Sequence, residues 1–190
     1  MQYASIIASL PMLRLGEKPL LTLEEFRGAC DLLTEADAQE LDALTAGETE
    51  QLHDDFSLRW LNADTQLRCA LARARAEAAG ADASASRREY TGYDVMSVKA
   101  VEDALGAKDP LDAERFLDQR RWALLEELSF GREFELDGVL AYAAKLQLAW
   151  RWASLDDEKA KQVIEETVIG NLTEEGSMVR FLDQEQEAAG

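Results

Sequence analysis

The one histidine of this sequence, His53, lies three residues after Glu50. An E-x-x-H pair on a helix is the ligand motif of ferritin-like di-iron bundles, which need two copies of it and two further glutamates. The sequence has no second histidine, and a single one also removes most general-base and transition-metal sites. We therefore expect His53 on the solvated side of a helix, with no metal or other cofactor.

Adjacent carboxylates are the other candidates for chemistry, because paired carboxylates transfer protons or hold Mg²⁺. Neighbours on a helix diverge by about 100°, however, so they do not face each other. The pairs are Asp54–Asp55, Glu126–Glu127, Asp156–Asp157, Glu165–Glu166 and Glu174–Glu175. Glycine-rich phosphate loops, G-x-S-x-G and calcium-loop spacing are missing. The sequence thus predicts a protein without catalytic residues; a carboxylate-based metalloenzyme is the alternative.

The charge distribution indicates which partners this chain can bind. Its formal net charge is -18, which argues against nucleic acid and against insertion into or adsorption on an anionic membrane. Residues 31–55 contain nine acidic side chains and no lysine or arginine. Such a run is typical of a solvated surface, and it also suits docking on a basic surface of another protein. The amino terminus lacks the order of a signal peptide, so we expect a cytoplasmic protein.

Two groups of residues are therefore candidates for binding a protein partner. The first is the acidic pair Asp54 and Asp55. The second is the segment Trp150, Arg151 and Trp152, because tryptophan and arginine are enriched at binding hot spots. On one helix Trp150 and Trp152 point about 200° apart, so only one of them can enter a given pocket.

The elements that position these residues are predicted to be helices. Helix-forming residues dominate the composition, and β-branched residues never alternate for long. An apolar segment from Tyr3 to Leu15 is open to interpretation as a strand or a short helix. The remaining helices are predicted to begin near Thr22, Thr34, Glu48, Val95, Asp109, Leu136 and Asp156, with a further short one over 173–183.

The fold class that follows is all-α, an irregular bundle of six to eight helices. A loop over 81–96, with Gly80, Ser84, Ser86 and Gly92 in and beside it, marks the best boundary between two lobes. The predicted organisation is an amino-terminal helical lobe over 1–80 and a carboxy-terminal helical lobe over 97–190. One continuous domain is the alternative.

Two stretches of the sequence resemble a known family. One is YASIIASLP, residues 3–11, followed by residues 23–26. The other is FELDGVLAYAAKLQLAWRWASLD, residues 134–156, with Tyr142, Lys145-Leu146-Gln147 and Arg151-Trp152 at its centre. Together they resemble a family of uncharacterised bacterial helical proteins encoded among the subunits of V/A-type ATP synthases. Residues 35–110 carry no such resemblance.

The resemblance implies a non-catalytic partner of a rotary, ion-transporting ATPase. Some of those gene sets lack a recognisable gene for the all-helical socket of the central stalk, which joins the shaft to the membrane rotor. A small acidic helical protein fits that role or one in assembly. The implied partners are V/A-type ATPase stalk or rotor subunits, and the implied location is cytoplasmic, at the membrane only through the complex. A cytosolic helical adaptor unrelated to ATPases is the alternative.

Overall fold

The computed structural model describes residues 2–81 and 88–155, and within these residues the fold is all-α, as predicted. The chain divides into two compact units, Met1–Trp150 and Arg151–Gly190, of which the second is described only over 151–155. The helices are α1 (Gln2–Ser9), α2 (Leu23–Ala29), α3 (Glu35–Ala46), a 3-10 helix (Thr49–Gln51), α4 (Asp55–Ala79), α5 (Val95–Gly106), α6 (Pro110–Ser129) and α7 (136–155).

Capping residues set most of these boundaries. The hydroxyl of Thr22 accepts from the backbone N–H of Glu25, and the Glu25 carboxylate accepts from the N–H of Thr22 at 2.7 Å, so the two residues form a capping box at the predicted helix start near Thr22. The hydroxyl of Thr34 caps α3 by accepting from the backbone N–H of Asp37. Helices α3 and α4 end at Gly47 and Gly80, and both residues adopt the left-handed backbone conformation that glycine tolerates best.

The start of α4 differs from the prediction, which placed it near Glu48. The helix begins at Asp55, because the side chain of Asp54 accepts a hydrogen bond from the N–H of Phe56 and caps it there. Between α3 and this cap the chain makes the short 3-10 helix and turns Leu52 inward, where it is 6% exposed. The cap and the burial of Leu52 thus outweigh the helical propensity of 48–54.

The hydrophobic core forms around two clusters of buried side chains. The larger takes residues from α1, α2, α3, the first part of α4, the end of α6 and α7, with Phe26, Phe56 and Leu140 fully enclosed. The smaller joins α4, α5 and α6 through Leu67 and Leu117, with Val101 and Ala104. The predicted division into two lobes stays a prediction, since 82–87 of the proposed boundary lie outside the described residues.

Charged side chains join α4 to α6. The Arg121 guanidinium lies 2.9 Å from Asp64 of α4 and 2.7 Å from Asp118, which is fully buried. Burial lowers the pKa of Arg121, but the carboxylates of Asp64 and Asp118 outweigh it and raise the pKa above its usual value. Arg68 approaches the other side of Asp64 at 2.6 Å, from an exposed position. A largely enclosed arginine, with a side chain 13% exposed, therefore joins the two helices through two carboxylates.

A second ion cluster holds the start of α5 against α6. Arg120 donates to Asp94 at 2.9 Å and to Glu127 at 2.7 Å. Asp94 caps α5, accepting from the backbone of Met96 and from the backbone and hydroxyl of Ser97. Burial alone would raise the pKa of Asp94, but the hydrogen bonds from Ser97 and Arg120 outweigh it and lower the pKa.

The loop between α6 and α7 folds tightly against the first turn of α7. A Cβ added to Gly138 would lie 1.9 Å from the carbonyl oxygen of Glu133, so glycine alone fits this approach. The Glu133 side chain in turn accepts from the N–H of Gly131 at 2.9 Å. On this loop Phe130 and Phe134 are 82% and 64% exposed. The loop therefore presents two large aromatic side chains to solvent from a constrained backbone.

Some predicted elements fall outside the described residues. They are the helix over 156–169, the turn at 170–171 and the short helix over 173–183. In the part of the chain that is described, no helix is both long enough and apolar enough to cross a membrane.

Candidate functional site

A carboxylate-lined pocket of about 500 Å³ lies between α3 and the segment that leads into α4. Four acidic side chains contribute to it, with no lysine or arginine among the lining residues. Its lining is Ala36, Asp37, Gln39, Glu40, Glu50, Gln51, His53, Asp54 and Leu136. Because one-sided charge focuses the field inside a cleft, this pocket attracts cations.

The acidic side chains of α3 differ in how they are satisfied. The Asp37 carboxylate accepts a hydrogen bond from the hydroxyl of Tyr3 at 2.9 Å. Glu40 is only 7% exposed, and its Oε2 accepts from the backbone N–H of His53 at 2.9 Å. Its Oε1 is buried without any hydrogen-bond partner. A buried carboxylate oxygen left unpaired costs roughly 1–3 kcal/mol, so Glu40 is retained at an energetic cost.

The opposite wall comes from the chain between α3 and α4. Glu50 and His53 are exposed at this wall, and the N-cap Asp54 is half-buried and accepts from the N–H of Phe56 at 2.8 Å. The E-x-x-H pair thus stands on a 3-10 helix and the residues after it, not on an α-helix. In the described ranges, no three histidine, cysteine or acidic side chains are grouped to hold a metal ion.

A buried carboxylate, that of Asp137, interacts electrostatically with Asp54 of this wall. Asp137 is 2% exposed and lies 2.9 Å from Arg132 and 3.2 Å from Arg59. Burial has the largest effect and raises the pKa of Asp137, and the negative charge of Asp54 also raises it. The positive charges of Arg132 and Arg59 lower the pKa, but the net result is a pKa above the usual value. Asp54 therefore interacts electrostatically both with the buried carboxylate of Asp137 and with Arg132.

The structure separates the residues that the sequence singled out. Asp54 lines the pocket, whereas the neighbouring Asp55 is exposed and pairs with Arg59 at 2.9 Å, one turn further along α4. Trp150 is half-buried, donates from its indole to the carbonyl of Leu21 at 3.0 Å, and has the ammonium of Lys18 5.9 Å from its ring centroid. Of the predicted residues in Met1–Trp150, only Asp54 therefore lines the pocket.

The two remaining candidates lie in the second unit. Arg151 is exposed, and Trp152 is 2% exposed. Both are on the last turns of α7. Trp152 is more enclosed than the half-buried Trp150. The role of these residues in binding a partner stays a prediction.

Sequence reasoning missed Glu40, Phe130 and Phe134. Glu40 is one of nine acidic residues in its run, and it lies three residues before Ala43 and four before Leu44, on the face of α3 that is buried. This position within an apolar stripe was the available signal. The exposure of the two phenylalanines has no such signal, because it depends on how the loop before α7 folds.

Comparison with known proteins adds one similarity. The model of a family described as a protein of unknown function, DUF2764, matches residues 83–175. The matched region includes α5, α6, α7 and the second of the two blocks that carry the resemblance, residues 134–156. No curated protein and no solved structure matches the chain. The predicted similarity to an uncharacterised family is confirmed in this general form.

Proposed function

We propose that this protein acts by binding other proteins, as a non-catalytic accessory or central-stalk-type subunit of a V/A-type ATP synthase. The observation that supports it best is the acidic pocket of α3 and the α3–α4 segment. Asp37, Glu40, Glu50 and Asp54 line it together, and none of them forms an ion pair with a residue that the structure describes. Their charge is therefore available to a basic partner.

The surface around the pocket adds to its negative charge. Asp31, Glu35 and Glu48 are exposed on α3 and beside it. Charged surfaces of this kind accelerate association and fix register more than they raise affinity. They suit a protein that must find one position on a larger assembly.

Apolar contact area is available close by in the chain. Phe134 lies two residues before Leu136, which lines the pocket, and Phe130 stands at the other end of the same loop. Both are strongly exposed aromatic side chains. Buried aromatic anchors beside complementary charge are the usual composition of a binding hot spot, and we propose that these two phenylalanines supply it.

The choice of an ATPase as partner depends on the sequence resemblance. Residues 3–11 with 23–26, and residues 134–156, resemble proteins encoded among V/A-type ATP synthase subunits. The similarity to a family of unknown function over 83–175 is compatible with this choice and adds no partner of its own. A helical adaptor that binds other basic proteins would use the same surfaces.

The test is an affinity pull-down of the tagged chain from its native membranes, first at about 50 mM and then at about 500 mM salt, with partners identified by mass spectrometry. Screening shortens the Debye length to a few ångströms at the higher salt. We expect V/A-type ATPase subunits at low salt and a loss of most of them at high salt. Recovery of other proteins without any ATPase subunit would refute the ATPase role and leave the adaptor.

A further inference from the structure

We infer that the acidic pocket receives a single basic side chain, lysine or arginine, from the protein partner, and that Glu40 is the residue that pairs with it. The inference rests on the proposed function in one respect, namely that the ligand belongs to a protein. The cationic class of the ligand follows from the pocket itself.

Glu40 contributes a buried carboxylate oxygen without a hydrogen-bond partner to the pocket lining. Its carboxylate is held from one side by the N–H of His53, which leaves Oε1 buried and unpaired. The terminal torsion of a glutamate is soft, so a donor that enters the pocket can draw this oxygen toward it. A cationic donor is favoured, because a charge-assisted hydrogen bond is about twice as strong as a neutral one.

The other acidic side chains of the pocket attract the cationic side chain, while Glu40 is the one that pairs with it. Asp37 accepts a hydrogen bond from the hydroxyl of Tyr3 and Asp54 from the N–H of Phe56, and both donors are neutral groups. Glu50 is exposed at the mouth. Arg132, which lies 2.9 Å from Asp137, is not among the lining residues. A cation inside the pocket is thus attracted from several sides and meets no guanidinium or ammonium in the lining.

The apolar part of the lining distinguishes a side chain from a bare ion. Ala36 on α3 and Leu136 at the start of α7 face the same space as the carboxylates. Lysine and arginine carry their charge on an aliphatic stem that packs against such groups. A divalent metal ion would instead need several oxygens converging within about 2.6 Å.

The experiment is an NMR titration of the purified, full-length, ¹⁵N-labelled chain at low ionic strength. The probes are N-acetyl-arginine amide and N-acetyl-lysine amide, with N-acetyl-norleucine amide as the uncharged analogue and MgCl₂ and CaCl₂ as bare cations. The backbone amide of His53 is the reporter, since it donates to Glu40. We expect saturable shifts of this amide with at least one of the two cationic probes and none with the norleucine analogue.

Three variants locate the binding. Glu40→Gln keeps the size of the side chain and should weaken the probe about tenfold, the loss of roughly 1.4 kcal/mol. Glu50→Gln, at the exposed mouth, tests the pocket without touching its buried end and should weaken the probe about threefold. Glu102→Gln is the matched control: it removes the same charge from an exposed position on α5, outside the pocket lining, and binding should change less than twofold.

Several outcomes would overturn the inference. They are the lack of saturable shifts with either cationic probe, equal shifts with the norleucine analogue, saturation by Mg²⁺ or Ca²⁺ alone, or unchanged binding in Glu40→Gln. The titration and the pull-down fail independently. A pull-down without ATPase subunits leaves the pocket chemistry standing, whereas an inert pocket leaves the ATPase role standing.

Discussion

Replacing Arg121 by methionine removes the guanidinium that lies between α4 and α6 and retains most of its volume. In this variant Asp64 still has the ion pair with Arg68 at 2.6 Å. The fully buried Asp118 loses its ion pair with Arg121, which measures 2.7 Å in the wild type. Removing one partner of a buried ion pair costs about 3–5 kcal/mol, because a charge is left in the interior. We expect the free energy of unfolding of Arg121→Met, measured by urea denaturation, to fall by this amount.

The matched control is Arg68→Met. Arg68 pairs with the same Asp64, but its side chain is 63% exposed, and exposed pairs contribute about 0–1 kcal/mol. The double variant Arg121→Met with Asp118→Leu should recover at least half of the loss, since apolar replacement of a whole buried pair is close to neutral. Equal losses in Arg121→Met and Arg68→Met, or a loss below about 1 kcal/mol in Arg121→Met, would refute the reasoning.

Three further predictions concern other parts of the fold. Gly138→Ala should destabilise the protein by about 1–3 kcal/mol, because the added Cβ would lie 1.9 Å from a backbone oxygen. Gly28→Ala in α2, where the added Cβ meets open space, should stabilise the protein by up to about 1 kcal/mol in the same urea assay. Equal effects of the two substitutions would contradict the close approach at Gly138. The pKa of Asp94 is lowered in the folded state, so its stabilisation is present above the ordinary pKa and is lost as pH falls through the folded one. Asp94→Asn should therefore lessen the decline of the unfolding midpoint below about pH 4, and an unchanged decline would disprove the assignment. Burial raises the pKa of Cys30 to about 11, so a Cys69→Ser variant should resist thiol reagents at about pH 8 until it is denatured; rapid labelling of the folded variant would contradict the burial.

The helix boundaries were predictable where a local signal sets them. The starts of α2 and α6 depend on residues within one turn of each other, the capping box of Thr22 and the cap of Asp109 before Pro110. The structure has both starts where they were predicted, near Thr22 and Asp109. The predicted start of α4 near Glu48 was wrong because several residues upstream of Asp54 could also begin a helix. The burial of Leu52 against distant parts of the chain favours the start that Asp54 caps.

The candidate site was only partly predictable, for the same physical reason. The acidic run and Asp54 are visible in the sequence, but the burial of Glu40 depends on the tertiary packing of α3, and the contribution of Leu136 comes from a helix more than eighty residues away. Trp150 has the composition of a binding residue, yet a hydrogen bond to Leu21 holds it half-buried. Neither arrangement can be read from spacing along one helix.

The measurement that tests the central claim most directly is the low-salt pull-down repeated with two charge-reversed variants of equal net charge. Glu48→Lys with Glu50→Lys changes the acidic face at the pocket, and Glu89→Lys with Glu102→Lys makes the same change at exposed positions outside it. If the protein binds an ATPase through this face, the first variant should recover at least about tenfold less of the V/A-type ATPase subunits than the wild type, and the second should recover them as the wild type does. Equal recovery by both variants would contradict the role of the acidic face, and the lack of ATPase subunits with the wild type itself would contradict the proposed function.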